Sequence, residues 1–124
     1  MKILSPEAHG VLDYATAAGM LLLPEVLEVS EDSQRASWVL RVSGAAILVQ
    51  ALMTNYKLGV ARVLPFRMHL GNDFVLSTGL ALAPFLLGFR NERRPKTWLP
   101  HLLFGIYAFA TTLITDGSKS RSVD

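Results

Sequence analysis

The chain has 124 residues, room for one domain. Hydrophobic residues make up 51% and charged residues 18%, with a mean hydropathy of +0.35; soluble domains carry roughly 25% charged residues. The absence of cysteine excludes disulfides and thiolate metal sites. A net charge of +2, its basic residues set beside apolar segments, points to lipid headgroups as partners and away from nucleic acid.

The charges gather in residues 25–41, 57–67 and 90–96 and at the two ends, leaving four apolar stretches between them. That pattern predicts a polytopic membrane protein. Pro6, Glu7, His9 and Asp13 interrupt what a signal peptide would keep apolar, so the first stretch is expected to be retained.

In chain order, Ser5-Pro6-Glu7 has the form of a helix start: a capping hydroxyl, a proline at the first helical position and an acid in the first turn. The first helix is expected to run to about Val29. Crossing about 30 Å of hydrocarbon takes about 20 residues, so it must use residues 8–27, with Asp13 and Glu25 near its two ends and Pro24 kinking it or marking its exit. A polar loop, residues 30–37, leads to a second segment over residues 38–55. Trp38 suits the interface there, and Arg41 is close enough to the end to snorkel. Residues 56–68 mix Lys57, Arg62 and Arg67 with Leu58, Val60, Val63 and Leu64, a composition expected to lie in the headgroup plane. Pro65 is expected to start the third helix, which runs to about Phe89. A basic loop over residues 90–96 precedes the fourth segment, residues 98–114, and a polar tail over residues 117–124 is expected to be disordered. Four spans put both termini on one side. Six basic residues fall on each side of the membrane (Lys2, Lys57, Arg62, Arg67, Lys119 and Arg121 against Arg35, Arg41, Arg90, Arg93, Arg94 and Lys96), so the loop charges leave the orientation open.

The chain repeats itself. At an offset of 60, His9 matches His69, Asp13 matches Asp73, Gly19 matches Gly79 and Pro24 matches Pro84, with Tyr14 opposite Phe74. The second helices align at an offset of 61: Gly44 with Gly105, Thr54 with Thr115, Asn55 with Asp116. An apolar bias matches leucines but not His, Asp, Gly and Pro in one register. The expected unit is a helical hairpin used twice, about residues 5–56 and 65–116, within a single membrane domain. The two copies would be related by a pseudo-twofold axis along the membrane normal. The fold class is all-α, an integral membrane four-helix bundle of two tandem hairpins. The four glycines are expected to allow close helix packing.

Four residues make about one helical turn, so His9 shares a face with Asp13, and His69 with Asp73. These pairs open the inbound helices, while Thr54-Asn55 and Thr115-Asp116 close the outbound ones. The candidate cluster is therefore His9, Asp13, Tyr14, Asn55, His69, Asp73 and Asp116, at one membrane face. One reading is structural: His9 and Asp13 hydrogen-bond, cap neighbouring helix ends and hold the hairpins in register. A second is a ligand site for a quinone, a lipid headgroup or another amphiphile, walled by Tyr14 and Phe74. A third is a metal or haem site with His9 and His69 as ligands. His101 and Arg41, near the opposite face, are expected to contact loops or headgroups. No nucleophile elbow, phosphate loop, H-E-x-x-H or dinucleotide fingerprint is present, and no motif asks for an enzyme.

The duplicated hairpin, the His-Gly…Asp-Tyr entrance and the closing run Pro84-Phe85-Leu86-Leu87-Gly88-Phe89 resemble the SPW-repeat family of small bacterial membrane proteins over residues 4–116. Where that family's signature has Ser-Pro-Trp, this chain has Leu23-Pro24-Glu25 and Ala83-Pro84-Phe85. The resemblance implies a four-helix integral protein of bacterial membranes with two repeats and no established activity. The expected role is non-enzymatic, structural or accessory, in the lipid of the inner membrane as a homo-oligomer or a subunit of a membrane complex.

Overall fold

A computed structural model describes residues 2–91 and 94–117; the end of the polar tail and part of the basic loop lie outside the described residues. The described residues form helices and turns, with no strand among them. Helix α1 is Pro6–Val26, α2 is a single turn at Val29–Asp32, α3 is Gln34–Met53, α4 is Phe66–Leu86 and α5 is Leu99–Ile114. Two short 3-10 turns, Phe89–Asn91 and Pro95–Thr97, link α4 to α5.

The ends follow local chemistry. Ser5 Oγ accepts from the Ala8 N–H at 3.2 Å, with Pro6 first in the helix and Glu7 behind it. Ser33 caps α3 in the same way, accepting from Ala36 N–H at 3.1 Å. That cap starts α3 four residues before Trp38, and α2 takes up part of the stretch expected to be a loop. Pro24 and Pro84 each sit in the last turn, and the helix continues two residues past each. Helices α1 and α4 therefore match in length and in the position of their proline.

Each hairpin packs on itself, α1 on α3 and α4 on α5, and the hairpins meet at a looser seam. Where α3 crosses α1, a Cβ on Gly44 would stand 2.9 Å from Met20 Cβ and 3.1 Å from the Ala17 carbonyl. Where α5 crosses α4, one on Gly105 would stand 2.6 Å from Ala81 N. These two glycines set close helix approach. Gly79 does not: nothing lies within 4 Å of its missing Cβ, and Gly19 has only ordinary contact with Phe104.

The connector after α3 folds back on the end of that helix. Val60 and Ala61 donate to the Leu52 carbonyl, and Val63 and Leu64 to that of Met53. Carbonyls at the end of α3 that would be unpartnered are satisfied this way. Arg62 turns inward on its own loop, donating to the Gly59 and Lys57 carbonyls. The same closure appears on both hairpins: Thr54 bridges to Leu64, and Thr115 to Leu4. Each repeat's tail thus lies against the other repeat's start.

Met20, Leu40, Ile47 and Leu80 form a buried apolar core, yet many further apolar side chains face outward and many polar ones are buried. Val11, Leu22, Val42, Val49, Val75, Leu82, Phe85, Leu103 and Ile106 are exposed, while His9, His69, His101, Ser37, Ser77, Thr54, Thr112 and Thr115 are buried. Soluble monomers keep large apolar patches off their surface. Gln34–Met53 is long and apolar enough to cross a membrane; Leu99–Ile114 is apolar but shorter. Neither α1 nor α4 meets that measure, because each carries its His, its Asp and further charges in the first half. Four equally plain spans are thus not what the described helices provide.

Candidate functional site

The first halves of α1 and α4 bring His9, Asp13, His69 and Asp73 together. One donor atom from each lies within 4.8 Å of all the others. The contacts close a ring of alternating nitrogen and oxygen. His9 Nε2 lies 2.8 Å from Asp73 Oδ2 and 3.3 Å from Asp13 Oδ2. His69 Nε2 lies 2.8 Å from Asp13 Oδ2 and 3.0 Å from Asp73 Oδ2. The expected pairing of His with Asp one turn along the same helix is therefore secondary. Each imidazole makes its shorter contact across the repeats, because the facing helix aims its carboxylate at Nε2 more directly than a neighbour on the same helix can.

The other ring nitrogens are held by threonines. His69 Nδ1 lies 2.6 Å from Thr54 Oγ1, and His9 Nδ1 lies 2.7 Å from Thr115 Oγ1. Each hydroxyl spends its one hydrogen on the carbonyl a turn back, Thr54 on Gln50 and Thr115 on Thr111, both at 2.6 Å. Toward the imidazole it can only accept, so Nδ1 carries a hydrogen in both rings. One further hydrogen then lies between each Nε2 and the carboxylates. Whether it sits on nitrogen or oxygen, each His–Asp pair has no net charge, and the ring of four is neutral. A neutral, fully bonded cluster is the form in which such groups are least costly to bury.

The two halves differ around this shared plan. Gln50 Nε2 donates to Asp73 Oδ1 at 2.6 Å; the matching residue in the second repeat, Thr111, bonds to the Tyr107 carbonyl instead. His69 lies stacked on Phe66 at 5.4 Å with Tyr56 at 6.1 Å, while His9 meets Phe66 edge-on at 5.7 Å. Tyr56 is buried, and desolvation, reinforced by the charge of Asp13, raises the pKa of its hydroxyl above the ordinary tyrosine range, keeping it protonated. Its ring reaches the cluster because Gly10 leaves room: a Cβ there would stand 2.4 Å from Tyr56 Cε2. In the second repeat the sizes are exchanged, Leu70 standing for Gly10 and Gly117 for Tyr56, again in contact.

The other expected residues make further contacts. The Tyr14 hydroxyl donates to the Leu58 carbonyl at 2.7 Å, tying down the connector. Phe74 points outward, half-exposed and against Phe109, so the aromatic pair does not wall the cluster symmetrically. Asn55 and Asp116 use their backbone N–H groups on Leu64 and Leu4, closing the repeat ends; the threonines just before them make the imidazole contacts. His101 reaches the loop after α4 from inside the fold. It is fully buried, with Nε2 donating to the Ala36 carbonyl at 2.8 Å and its ring against Phe89. Arg41 pairs with Glu25 at the end of α1.

Thr54, Thr115, Gln50, Tyr56 and Phe66 complete the cluster. The repeated threonines were visible in the sequence as a matched pair; Gln50, Tyr56 and Phe66 belong to one repeat only and carried no such mark. Beside the ring lies a cavity of about 20 Å³ reaching His9, Asp13 and Asp73, room for about one water. The two imidazoles stand edge to face with centroids 5.2 Å apart, leaving no slot for a haem plane between them.

Fold and cluster together define a class: an all-helical protein of two like hairpins, joined at one end by a reciprocal His/Asp ring. The chain belongs to the SPW repeat domain family, whose model matches residues 7–115. No curated protein and no solved structure gives a significant match.

Proposed function

We propose that the chain is a small integral protein of the bacterial inner membrane, a single domain of two tandem hairpins with a structural or accessory role and no catalysis of its own. The His/Asp ring is its clasp, locking one hairpin to the other at one membrane face. The observation that carries this reading is the crossing itself: His9 to Asp73 and His69 to Asp13, with every imidazole nitrogen engaged. A site made for turnover keeps a donor or a coordination position open, whereas these are used up in joining the repeats.

The membrane placement rests on the exposed apolar faces. Apolar side chains cover the outside of α1, α3, α4 and α5, and the buried hydroxyls of Thr16 and Thr112 each bond the carbonyl one turn back in their own helix. Lipid, another membrane protein or a second copy would cover those faces. Short loops leave little surface for soluble chemistry.

Alkaline extraction of membranes from expressing cells tests the placement: the protein is expected to stay with the bilayer and to come out with detergent. Release by carbonate alone would refute it. The clasp is tested by unfolding in detergent. His9→Gln and His69→Gln are each expected to lower the midpoint, and unchanged midpoints for both would refute it.

A further inference from the structure

The geometry points to the His9–Asp13–His69–Asp73 ring as a binding site for a single divalent transition-metal ion, zinc in the first instance. This rests on the ring being the clasp proposed above and adds a ligand to it. Three features carry the inference.

The first is the donor set. Two imidazole nitrogens and two carboxylate oxygens suit zinc. Around a tetrahedral ion with ligands at about 2.0–2.2 Å, neighbouring donors stand about 3.3–3.6 Å apart. The four contacts here run from 2.8 to 3.3 Å, so the ring must open by about 0.5 Å at its tightest edges to hold the ion.

The second is the outer support. A metal-binding imidazole usually donates its other N–H to a fixed acceptor, which sets the tautomer and aims the free nitrogen. Thr54 and Thr115 do this for both rings, each hydroxyl anchored to its own helix. The proton on Nδ1 leaves Nε2 as the coordinating atom, and both Nε2 atoms point into the ring. Gln50 holds the outer oxygen of Asp73 and leaves Oδ2 facing inward.

The third is charge and access. One divalent cation balances two carboxylates, so the loaded ring is as neutral as the ring held by hydrogen bonds. Asp13 is 13% exposed, giving the ion a way in from the membrane face. Four protein ligands close the coordination sphere, so the ion would strengthen the clasp rather than activate water.

The test uses the full chain in detergent, stripped with a chelator and carrying no histidine tag. Equilibrium dialysis against Zn²⁺ is expected to give one ion per chain, and Co²⁺ in its place the visible absorption of a four-coordinate N/O site. Asp13→Asn, isosteric with the native side chain, is expected to weaken Zn²⁺ binding at least 100-fold. The Thr54→Val/Thr115→Val pair, which leaves all four ligands, is expected to weaken it about 10–100-fold. His101→Gln is expected to leave it unchanged. Absence of stoichiometric Zn²⁺ from folded protein, or binding unaltered in Asp13→Asn, overturns the proposal. Melting of the same variants in chelator separates the two readings: if Asp13→Asn is destabilised there while the wild type binds no zinc, the clasp stands and the metal site falls.

Discussion

The two repeats place the same four side chains in the ring but surround them differently. His9 and His69 have equivalent partners: a carboxylate across the seam, a carboxylate on the same helix and a threonine behind. Asp73 is held by Gln50 and is the more buried, whereas Asp13 lies nearer the surface with no amide in the matching place. The large residue covering the ring comes from the connector on one side, Tyr56 over Gly10. In the second repeat the large residue is on the helix, Leu70 against Gly117. A duplicated hairpin thus keeps the groups that must meet across the axis and diverges where only volume has to be filled. A change in the ring requires a matching change in the partner repeat, while a filling residue needs only its one neighbour to adjust.

The most severe break is removal of an imidazole. His9→Ala or His69→Ala leaves two carboxylates to share one imidazole in a buried site and is expected to cost about 3–5 kcal/mol. The two losses should agree closely in detergent unfolding if the halves are equivalent at this level. Gly10→Ala comes next. It drives a methyl into the Tyr56 ring and is expected to cost about 2 kcal/mol by overpacking, and most of that loss should be recovered in a Gly10→Ala/Tyr56→Leu double variant. The carboxylates should then separate: Asp73→Asn is expected to be more damaging than Asp13→Asn by about 1–2 kcal/mol, since it also disturbs the Gln50 bond. Adding Gln50→Leu to both should bring the pair together. The smallest effect has the opposite sign. Gly79→Ala meets open space in a helix and is expected to stabilise by about 0.5–1 kcal/mol, while Gly105→Ala, pressed on the Ala81 backbone, should destabilise.

The sequence showed the helices and their order because each is written in local terms: a serine cap at Ser5, a proline one residue on, an apolar run closing at a proline. It missed the Ser33 cap and began α3 too late, since Trp38 is the more conspicuous start to an apolar run. The path of the connector is not written in its mix of basic and apolar residues: it follows from the carbonyls of Leu52 and Met53, which accept its N–H groups.

His9, Asp13, His69 and Asp73 were legible as a set because duplication repeats whole registers, and chance does not align His, Asp, Gly and Pro together. Helical spacing also placed each His with its own Asp. Which carboxylate each imidazole prefers depends on how α1 faces α4, a relation between segments about 60 residues apart that no local pattern encodes. The crossing of the pairs, the proton held on each Nδ1 by its threonine, and the exchange of Tyr56 for Leu70 belong to the tertiary structure alone. They follow from directions and distances between helices, whereas the sequence records only the order of residues along each one.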